Sequence, residues 1–535
     1  MSETKFLYGA AVQGIQGFIF QTNKLREIVG ASELVEEICT SKFAQLLGKK
    51  GYYPELKKKL EEDENCILHA AGNIKYVFDK KEDCEKIVRE FPKTISEFAP
   101  GITVSQAVVK MEEGSDNFPN AVNELEKRLR IQRNKPMRSA TLGLMGIERS
   151  HQTGLPVIYE EGKEHFDAGT FAKLQYEWEN DGEKKIAKRH TTRNLCNKAF
   201  LPYDSTASVS ESKIAYDIEK ITGQNDWIAI IHADGNGLGQ IVQKVGKDAK
   251  EFKKFSNELD KATTEAAYEA YQYLIKKELI QENEKQCIPI RPVVLGGDDF
   301  TVICRADIAL DFATEFIRQF ENKTQQYLSE TIKNHSVFTE GVVRDKLTAC
   351  AGIAYIKSSF PFYYGYELAE ALCSRAKKDA KNKDSIREGK ELPMSCLMFH
   401  KVQDSFTEDW DSIAKRELTP QPNISFEFGP YYLNDKDNRW TIGELKQKAG
   451  QLEGKEGNAV KSHLRNWMSL LHNNPEMANQ KLERLKSMTT EEYRGFIEKI
   501  TFKYDRNSKE LQKTPVYDML AIHTINTQKT KKEDE

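Results

Sequence analysis

A chain of 535 residues, at ~100–200 residues per domain, has room for roughly three to five domains, and its 39% hydrophobic and 10% aromatic content supplies several cores rather than a disordered composition. Lys plus Arg number 79 against 82 Asp plus Glu, a net charge of −3, which excludes a whole-molecule basic field for nucleic acid but not a local basic groove. No stretch nears the ~18 uninterrupted apolar residues of a membrane span.

The run 6–20 is broken by Gln13, Gln16 and glycines and preceded by Glu3, so it does not read as a secretory leader. The nine cysteines are scattered with no C-x-x-C pair. That pattern suits buried free thiols in a cytoplasmic protein and gives no disulfide framework or zinc ribbon.

In chain order, 5–12 (KFLYGAAV) reads as a strand, and 17–47 carries helical spacing with a break near Gly30. Residues 66–70 and 74–78 form a hairpin, 82–98 a helix and 102–110 a strand. A charged, Gly/Pro-punctuated stretch follows over 112–224. The strand 227–233 (WIAIIHA) is apolar throughout, and a helix spans 249–277. A hairpin of 292–295 and 300–304 turns across Gly-Gly-Asp-Asp, then come a helix over 308–327, a strand over 347–356 and a helix over 367–381. Both sets have the order β-α-β-β-α-β, which is ferredoxin-like. Past 420 the chain turns helical and basic, with amphipathic spacing over 442–452, 459–471, 475–485 and 490–500. The expected organisation is α+β: one ferredoxin-like domain over 1–111, a connecting domain over 112–224, a second ferredoxin-like domain over 225–418, a helical domain over 419–528 and a disordered charged tail over 529–535.

The strongest chemical signal is Leu295-Gly296-Gly297-Asp298-Asp299-Phe300. Gly and Asp also suit a plain hairpin turn, but a second feature adds weight. The strand WIAIIHA ends at Asp234, followed by Gly235, Asn236, Gly237 and Gly239. In a ferredoxin-like unit the first strand neighbours the central hairpin, so Asp234 is expected beside Asp298 and Asp299. Three carboxylates together repel unless cations hold them, and hard oxygen donors suit Mg²⁺ or Mn²⁺. Two such ions clamp an in-line phosphoryl displacement. The glycines 235, 237, 296 and 297 let backbone approach a phosphate. Gln240 breaks a dinucleotide-binding G-x-G-x-x-G, and no P-loop is present. The helix ending in Arg375-Ala376-Lys377-Lys378 offers Lys377, then Lys378, for a triphosphate. Laying the first unit over the second puts Gln13 where Asp234 stands, and Gly72 and Asn73 where Asp298 and Asp299 stand. The first unit then keeps the fold without the ligands. His69 and His232 are expected to be satisfied structural histidines.

Asp234-Gly-Asn-Gly, LGGDDF, LTACAGIAYIKSSFP and the helix ending Ala376-Lys377 resemble the second palm domain of the large polymerase/cyclase subunit of type III CRISPR effector complexes. The opening AVQGIQGFIFQTNKLREIVGASELVEE is similar to the start of that family's first palm domain, and 146–156 to its inter-palm segment. The resemblance implies two facing palm domains, ATP bound between them, and synthesis of cyclic oligoadenylate second messengers for antiviral defence. Asp234, Asp298 and Asp299 would hold two Mg²⁺ or Mn²⁺ ions with the Gly235 carbonyl, while Asn236, Gly237, Gly296, Gly297, Lys377 and Lys378 line the nucleotide. Two departures stand out. The chain starts directly at the palm, so DNA cleavage by an HD domain is not expected, and Ser150-His151-Gln152 stands where a cysteine pair would bind zinc, so no zinc is expected.

The leading function is therefore a nucleotidyltransferase making cyclic oligonucleotides from ATP or another nucleoside triphosphate. The alternative is a structural palm subunit of an RNA-guided complex with weak or conditional cyclase activity, bound to other effector subunits and guide or target RNA; its support is the basic set Lys446, Lys448, Lys461 and Arg465. A homodimer is also compatible, and no membrane partner is expected.

Overall fold

The computed structural model describes residues 4–527 except 71, 112–116, 136–145, 182–183, 223–225, 282–285, 336–344, 382–392, 405–407 and 435–438. The expected charged tail, 529–535, lies outside the described residues.

The first unit runs β1 (Lys5–Gln13), α1 (Ile15–Phe20), α2 (Leu25–Glu37), a π-helical turn (Ile38–Lys42), α3 (Phe43–Leu46), α4 (Tyr53–Glu62), β2 (Cys66–Ala70), β3 (Asn73–Phe78), α5 (Lys81–Phe98) and β4 (Thr103–Met111). Its sheet order, β2-β3-β1-β4, is that of a ferredoxin-like unit. The expected break at Gly30 falls instead between α1 and α2, and Gly30 lies inside α2. Gly30 is needed for packing: a Cβ there would lie 1.6 Å from the Lys173 carbonyl oxygen. The absent side chain lets the connecting segment press onto α2, which a purely local reading takes for a helix break.

The connecting segment carries α6 (Asn117–Arg133), a hairpin of β5 (Val157–Glu161) and β6 (Glu164–Asp167), α7 (Ala168–Lys173), a second hairpin of β7 (Tyr176–Asp181) and β8 (Lys184–Arg189), then α8 (Asn194–Phe200), a 3₁₀ turn (Glu211–Lys213) and α9 (Ile218–Thr222). Phe166, Phe171, Leu174 and Tyr176 form a small core of their own there.

The second unit runs β9 (Trp227–Gly235), α10 (Leu238–Val245), α11 (Ala249–Lys276), β10 (Ile290–Gly296), β11 (Asp299–Arg305), α12 (Ala306–His335), β12 (Ala349–Lys357) and α13 (Phe362–Ala380). Strands β9 to β12 repeat the order of the first sheet, as β10-β11-β9-β12. The sheet then grows by β13 (Cys396–Lys401), parallel to β12, and, after α14 (Trp410–Glu417) and β14 (Ile424–Ser425), by β15 (Tyr431–Tyr432), antiparallel to β13. The continuous apolar run of β9 follows from its central place. It is paired on both edges and buried from Trp227 to Ala233.

The C-terminal part is α15 (Ile442–Gly450), α16 (Gly454–Asn473), α17 (Pro475–Met488), α18 (Glu491–Ile500), the short β16 (Gln512–Lys513) and α19 (Val516–Thr527). Its starts follow the sequence signals: Thr441 and Glu444 form a capping box on α15, and Asn474 caps α17 ahead of Pro475. Three of the four basic residues that supported the RNA-guided alternative make intramolecular polar contacts. Lys446 pairs with Asp311 of α12, Lys461 meets His523, and Arg465 reaches Thr524. All nine cysteines are free, and every one but Cys287 is buried. Among the described residues no helix is long and apolar enough to cross a membrane.

Candidate active site

Strand pairing brings the acidic residues together. Asp234 near the end of β9 sits directly across from Asp299 at the start of β11, and from Cys350 of β12 on its other side. Asp298 occupies the β10–β11 turn, and one carboxylate oxygen from each of Asp234, Asp298 and Asp299 lies within 4.8 Å of the others. Burial, then the charges of Asp299 and Asp234, pushes the Asp298 carboxyl up to about 7. Burial and Asp234 push Asp299 up to about 6, against the opposing pull of Lys377. Carboxylates held this close prefer to share protons or a cation. The all-oxygen donor set, with the nearby Gly235 carbonyl, fits a hard divalent ion such as Mg²⁺ or Mn²⁺.

A cationic side chain already points into this cluster. Lys377 of α13 forms an ion pair with Asp234 and donates to the Gly235 carbonyl at 2.9 Å. Lys378, one residue on, is exposed and makes no such contact among the described residues. Gly235 has no room for a side chain, since a Cβ would lie 2.5 Å from Leu238 Cδ1 and 3.0 Å from Asp298 Cβ. The close approach of β9 to the acidic turn depends on that missing atom. Gly237, at φ 74°, caps the start of α10. Gly296 closes β10, and Gly297 takes φ 63° in the turn.

Asn236 does not face the site. Its backbone N–H donates to the Thr348 carbonyl at 2.7 Å, its side chain reaches Thr348 Oγ1 at 3.2 Å and Cys350 Sγ at 3.3 Å, and it is fully buried. It locks the β9–α10 turn onto β12, and the expectation that it lines a nucleotide is corrected to a role in the core.

A cavity of about 610 Å³ separates the two ferredoxin-like units at this point, with Gln13, Gln16 and Asn73 on one wall and His232, Asp299 and Thr301 on the other. That volume is in the usual range for a small-molecule site. The walls are tied together at one end. Gln16 Nε2 donates to the Tyr366 hydroxyl at 2.8 Å, and Phe20 stacks on Tyr366 with centroids 4.2 Å apart. Gln16 and Tyr366 lie 350 positions apart, so local periodicity gave no sign of this contact. Glu370, a turn beyond Tyr366, adds a fourth carboxyl near the cluster, and burial raises its pKa.

The two histidines behave differently. His232 is satisfied by Thr301 Oγ1 at 3.0 Å, as expected, and burial lowers it to about 4. His69 is buried and lines the same cavity, and among the described residues neither ring nitrogen has a hydrogen-bond partner.

The overlay of the two units also needs correction. Asn73 pairs with Ala11, as Asp299 pairs with Asp234, and Gly14 at φ 66° caps α1 as Gly237 caps α10. Both relations make Ala11 the counterpart of Asp234 and Gln13 that of Asn236. The sequence overlay slipped by two residues, because side-chain alternation along a strand repeats every second residue. The first unit still lacks carboxylates at the equivalent positions.

Residues 227–387 match the family model described as Cas10/Cmr2, second palm domain. That segment is a Cas10-like second palm domain. No curated protein matches the chain in sequence. Among solved structures it is similar to the Csm1-Csm4 cassette in complex with AMPPNP, at 14% identity and a TM-score of 0.55, covering 98% of this chain and 69% of that one. It is similar to the same cassette in complex with cA4, at 12% identity and a TM-score of 0.53 over 98% and 70%. It also resembles the Csm1-Csm4 subcomplex in the type III-A CRISPR-Csm interference complex, at 14% identity and a TM-score of 0.52 over 98% and 70%. At these identities the structural likeness establishes the two-palm fold. A second donor group among the described residues, Glu148, Glu160 and His165, lies in the connecting segment near Ser150-His151-Gln152.

Proposed function

We propose that this Cas10-like protein is a nucleotidyltransferase that joins nucleoside triphosphates, ATP foremost, into cyclic oligonucleotides. The observation that carries the reading is the convergence of Asp234, Asp298 and Asp299 beside a cavity between two palm folds. In the reaction the 3′-hydroxyl of one nucleotide attacks the α-phosphate of another. A new P–O bond forms, the α–β phosphoanhydride breaks, the hydroxyl proton is lost and pyrophosphate departs. Two divalent ions would supply Lewis-acid stabilisation of the attacking and leaving oxygens. Asp234, Asp298 and Asp299 would hold those ions, with the Gly235 carbonyl as a further donor. Lys377 would exchange its contact with Asp234 for the triphosphate. The open backbone at Gly237, Gly296 and Gly297 would leave space for the phosphates, with Gly235 contributing its carbonyl, and Gln16, Tyr366 and His69 line the nucleotide cavity. The first palm, with Ala11, Gly72 and Asn73 at the equivalent positions, would serve as a metal-free wall.

A second reading draws on the partner in the similar structures, which are Csm1-Csm4 assemblies. In that reading the chain works as one subunit of a CRISPR effector complex, with guide or target RNA as trigger.

The test is incubation of the purified chain with each NTP and Mg²⁺ or Mn²⁺, with products resolved by mass spectrometry beside an Asp298→Ala/Asp299→Ala variant. Product from the wild type and none from the variant supports the reading. Equal product from both refutes the site. Silence from both, reversed by adding partner subunits and RNA, favours the second reading.

A further inference from the structure

Next to Gly296 of the acidic turn, charged side chains from three parts of the chain meet in the interior. Glu36 comes from α2 and Lys57 from α4, both of the first palm. Lys198 comes from α8 of the connecting segment, and Asp260 from α11 of the second palm. Lys57 Nζ lies 2.7 Å from Asp260 Oδ2, and Lys198 Nζ lies 2.8 Å from Glu36 Oε1 and 3.7 Å from Asp260 Oδ1. Tyr53 closes the far end with a hydrogen bond from its hydroxyl to Glu36. The side chains of Lys198 and Asp260 are each only 9% exposed. Glu61, 3.7 Å from Lys57, joins as a more exposed third carboxylate; the opposite charges compensate one another, so the cluster can exist away from water where any single member could not.

Two features link this cluster to the site. Lys198 also donates to the Leu295 carbonyl at 3.1 Å. Leu295 is followed directly by Gly296, Gly297, Asp298 and Asp299, and β10 is an edge strand, so an outward carbonyl has no further strand to bond. One helical turn after Asp260, Thr263 Oγ1 donates to the Gly297 carbonyl at 2.5 Å. The turn is therefore gripped at two carbonyls, on either side of Gly296. The void at the cluster is about 20 Å³, room for no more than a water molecule. A nucleotide phosphate cannot enter, so these lysines are not ligand-binding groups.

We propose that Lys198 is a positioning residue for the Gly296–Asp299 turn, and that the Glu36–Lys198–Asp260–Lys57 clasp makes the acidic site depend on docking of the first palm and connecting segment onto the second. The role of the turn as a metal site rests on the reading under Proposed function; the grip of Lys198 on its backbone does not. In this arrangement the metal-free palm has a task besides walling the cavity. Displacing it withdraws Glu36 and Lys57, frees Lys198 from its balanced position and loosens the Leu295 carbonyl. The second palm alone carries all three carboxylates and the grip of Thr263, yet lacks the second grip, that of Lys198 on the Leu295 carbonyl.

The experiment compares the full chain with Glu36→Gln/Lys198→Met, which removes one charge of each sign and so leaves the cluster's net charge unchanged, and with Lys198→Arg, which can restore the bond. Three readouts are taken: thermal unfolding, amide hydrogen exchange of the segment 293–301, and Mn²⁺ binding followed by electron paramagnetic resonance. The double variant should melt close to wild type, yet exchange in 293–301 at least tenfold faster and bind Mn²⁺ about tenfold more weakly. Lys198→Arg should recover most of both. Wild-type exchange in the folded double variant would overturn the proposal. Faster exchange spread evenly through the second palm would overturn it too, since that marks general loosening. If wild type binds no Mn²⁺ through Asp298 and Asp299, the functional reading fails, while the exchange of 293–301 still decides the clasp.

Discussion

Gly352, in the middle of β12, is where α13 comes closest to the second palm sheet. A Cβ there would lie 2.0 Å from the Ala369 carbonyl oxygen, 2.5 Å from the Cys373 backbone nitrogen and 2.9 Å from Leu372 Cβ. Non-bonded heavy atoms settle at ~3.5–4.0 Å, so Gly352→Ala requires α13 to retreat by roughly 1.5 Å. Two of the three obstacles are helix backbone, so no side-chain rotation relieves them. Overpacking of this kind costs about 1–3 kcal/mol, and the rigidity of the obstacle puts this case at the upper end. For a unit the size of the second palm, ~3 kcal/mol lowers the melting temperature by about 6–12 °C. The same retreat carries Lys377, one turn beyond Cys373, away from Asp234, so nucleotide turnover should fall further than the stability loss alone explains. Gly495→Ala in α18 is the control: its Cβ meets nothing within 4 Å, and alanine in a helix interior should gain about 0.5–1 kcal/mol. Differential scanning calorimetry of the three proteins decides the matter. A Gly352→Ala protein melting within a degree of wild type would refute the described seat of α13 on the sheet.

Asp518 is buried, accepts a 2.6 Å hydrogen bond from the Tyr431 hydroxyl, and is pushed by burial up to about 7. The folded state then keeps a proton that the unfolded chain has released, so stability falls as pH rises from about 4 to 7, by about 1.4 kcal/mol per unit. Asp518→Asn should therefore be more stable than wild type at pH 8 and nearly equal at pH 4, read as denaturant midpoints; the opposite order would refute the argument. Lys377→Met removes the cation that shares Asp234, so Mn²⁺ should bind as tightly or more tightly while product formation drops at least tenfold; weaker Mn²⁺ binding would contradict this competition. Gly237→Ala forces an L side chain into φ 74°, at a cost of about 1–2 kcal/mol; an unchanged unfolding midpoint would show that the α10 cap is not left-handed.

Much of the molecule was legible in the sequence because its signals are local. The apolar run WIAIIHA, the glycines flanking two carboxylates and the regular spacing of α11, α12 and α13 each come from a few adjacent residues. Repetition of one strand–helix order revealed the duplicated fold. What failed were statements whose cause lies elsewhere in the chain. Gly30 looks like a helix break until Lys173 is seen packed against it. Asn236 looks like a phosphate-loop residue until Thr348 and Cys350 claim its side chain.

The sequence by itself determined which groups are present: three carboxylates, their glycines and the basic helix end, with the strand order that makes the first strand a neighbour of the hairpin. Tertiary structure decided how they are used. Strand register set Asp299 opposite Asp234 and Ala11 opposite Asn73, and a period-two pattern cannot fix that register to better than two residues. Contacts across long stretches of chain, Gln16 with Tyr366 and Lys198 with Leu295, then closed the cavity and held the turn. No local propensity encodes such pairs, because the free energy that selects them comes from burying both partners at once.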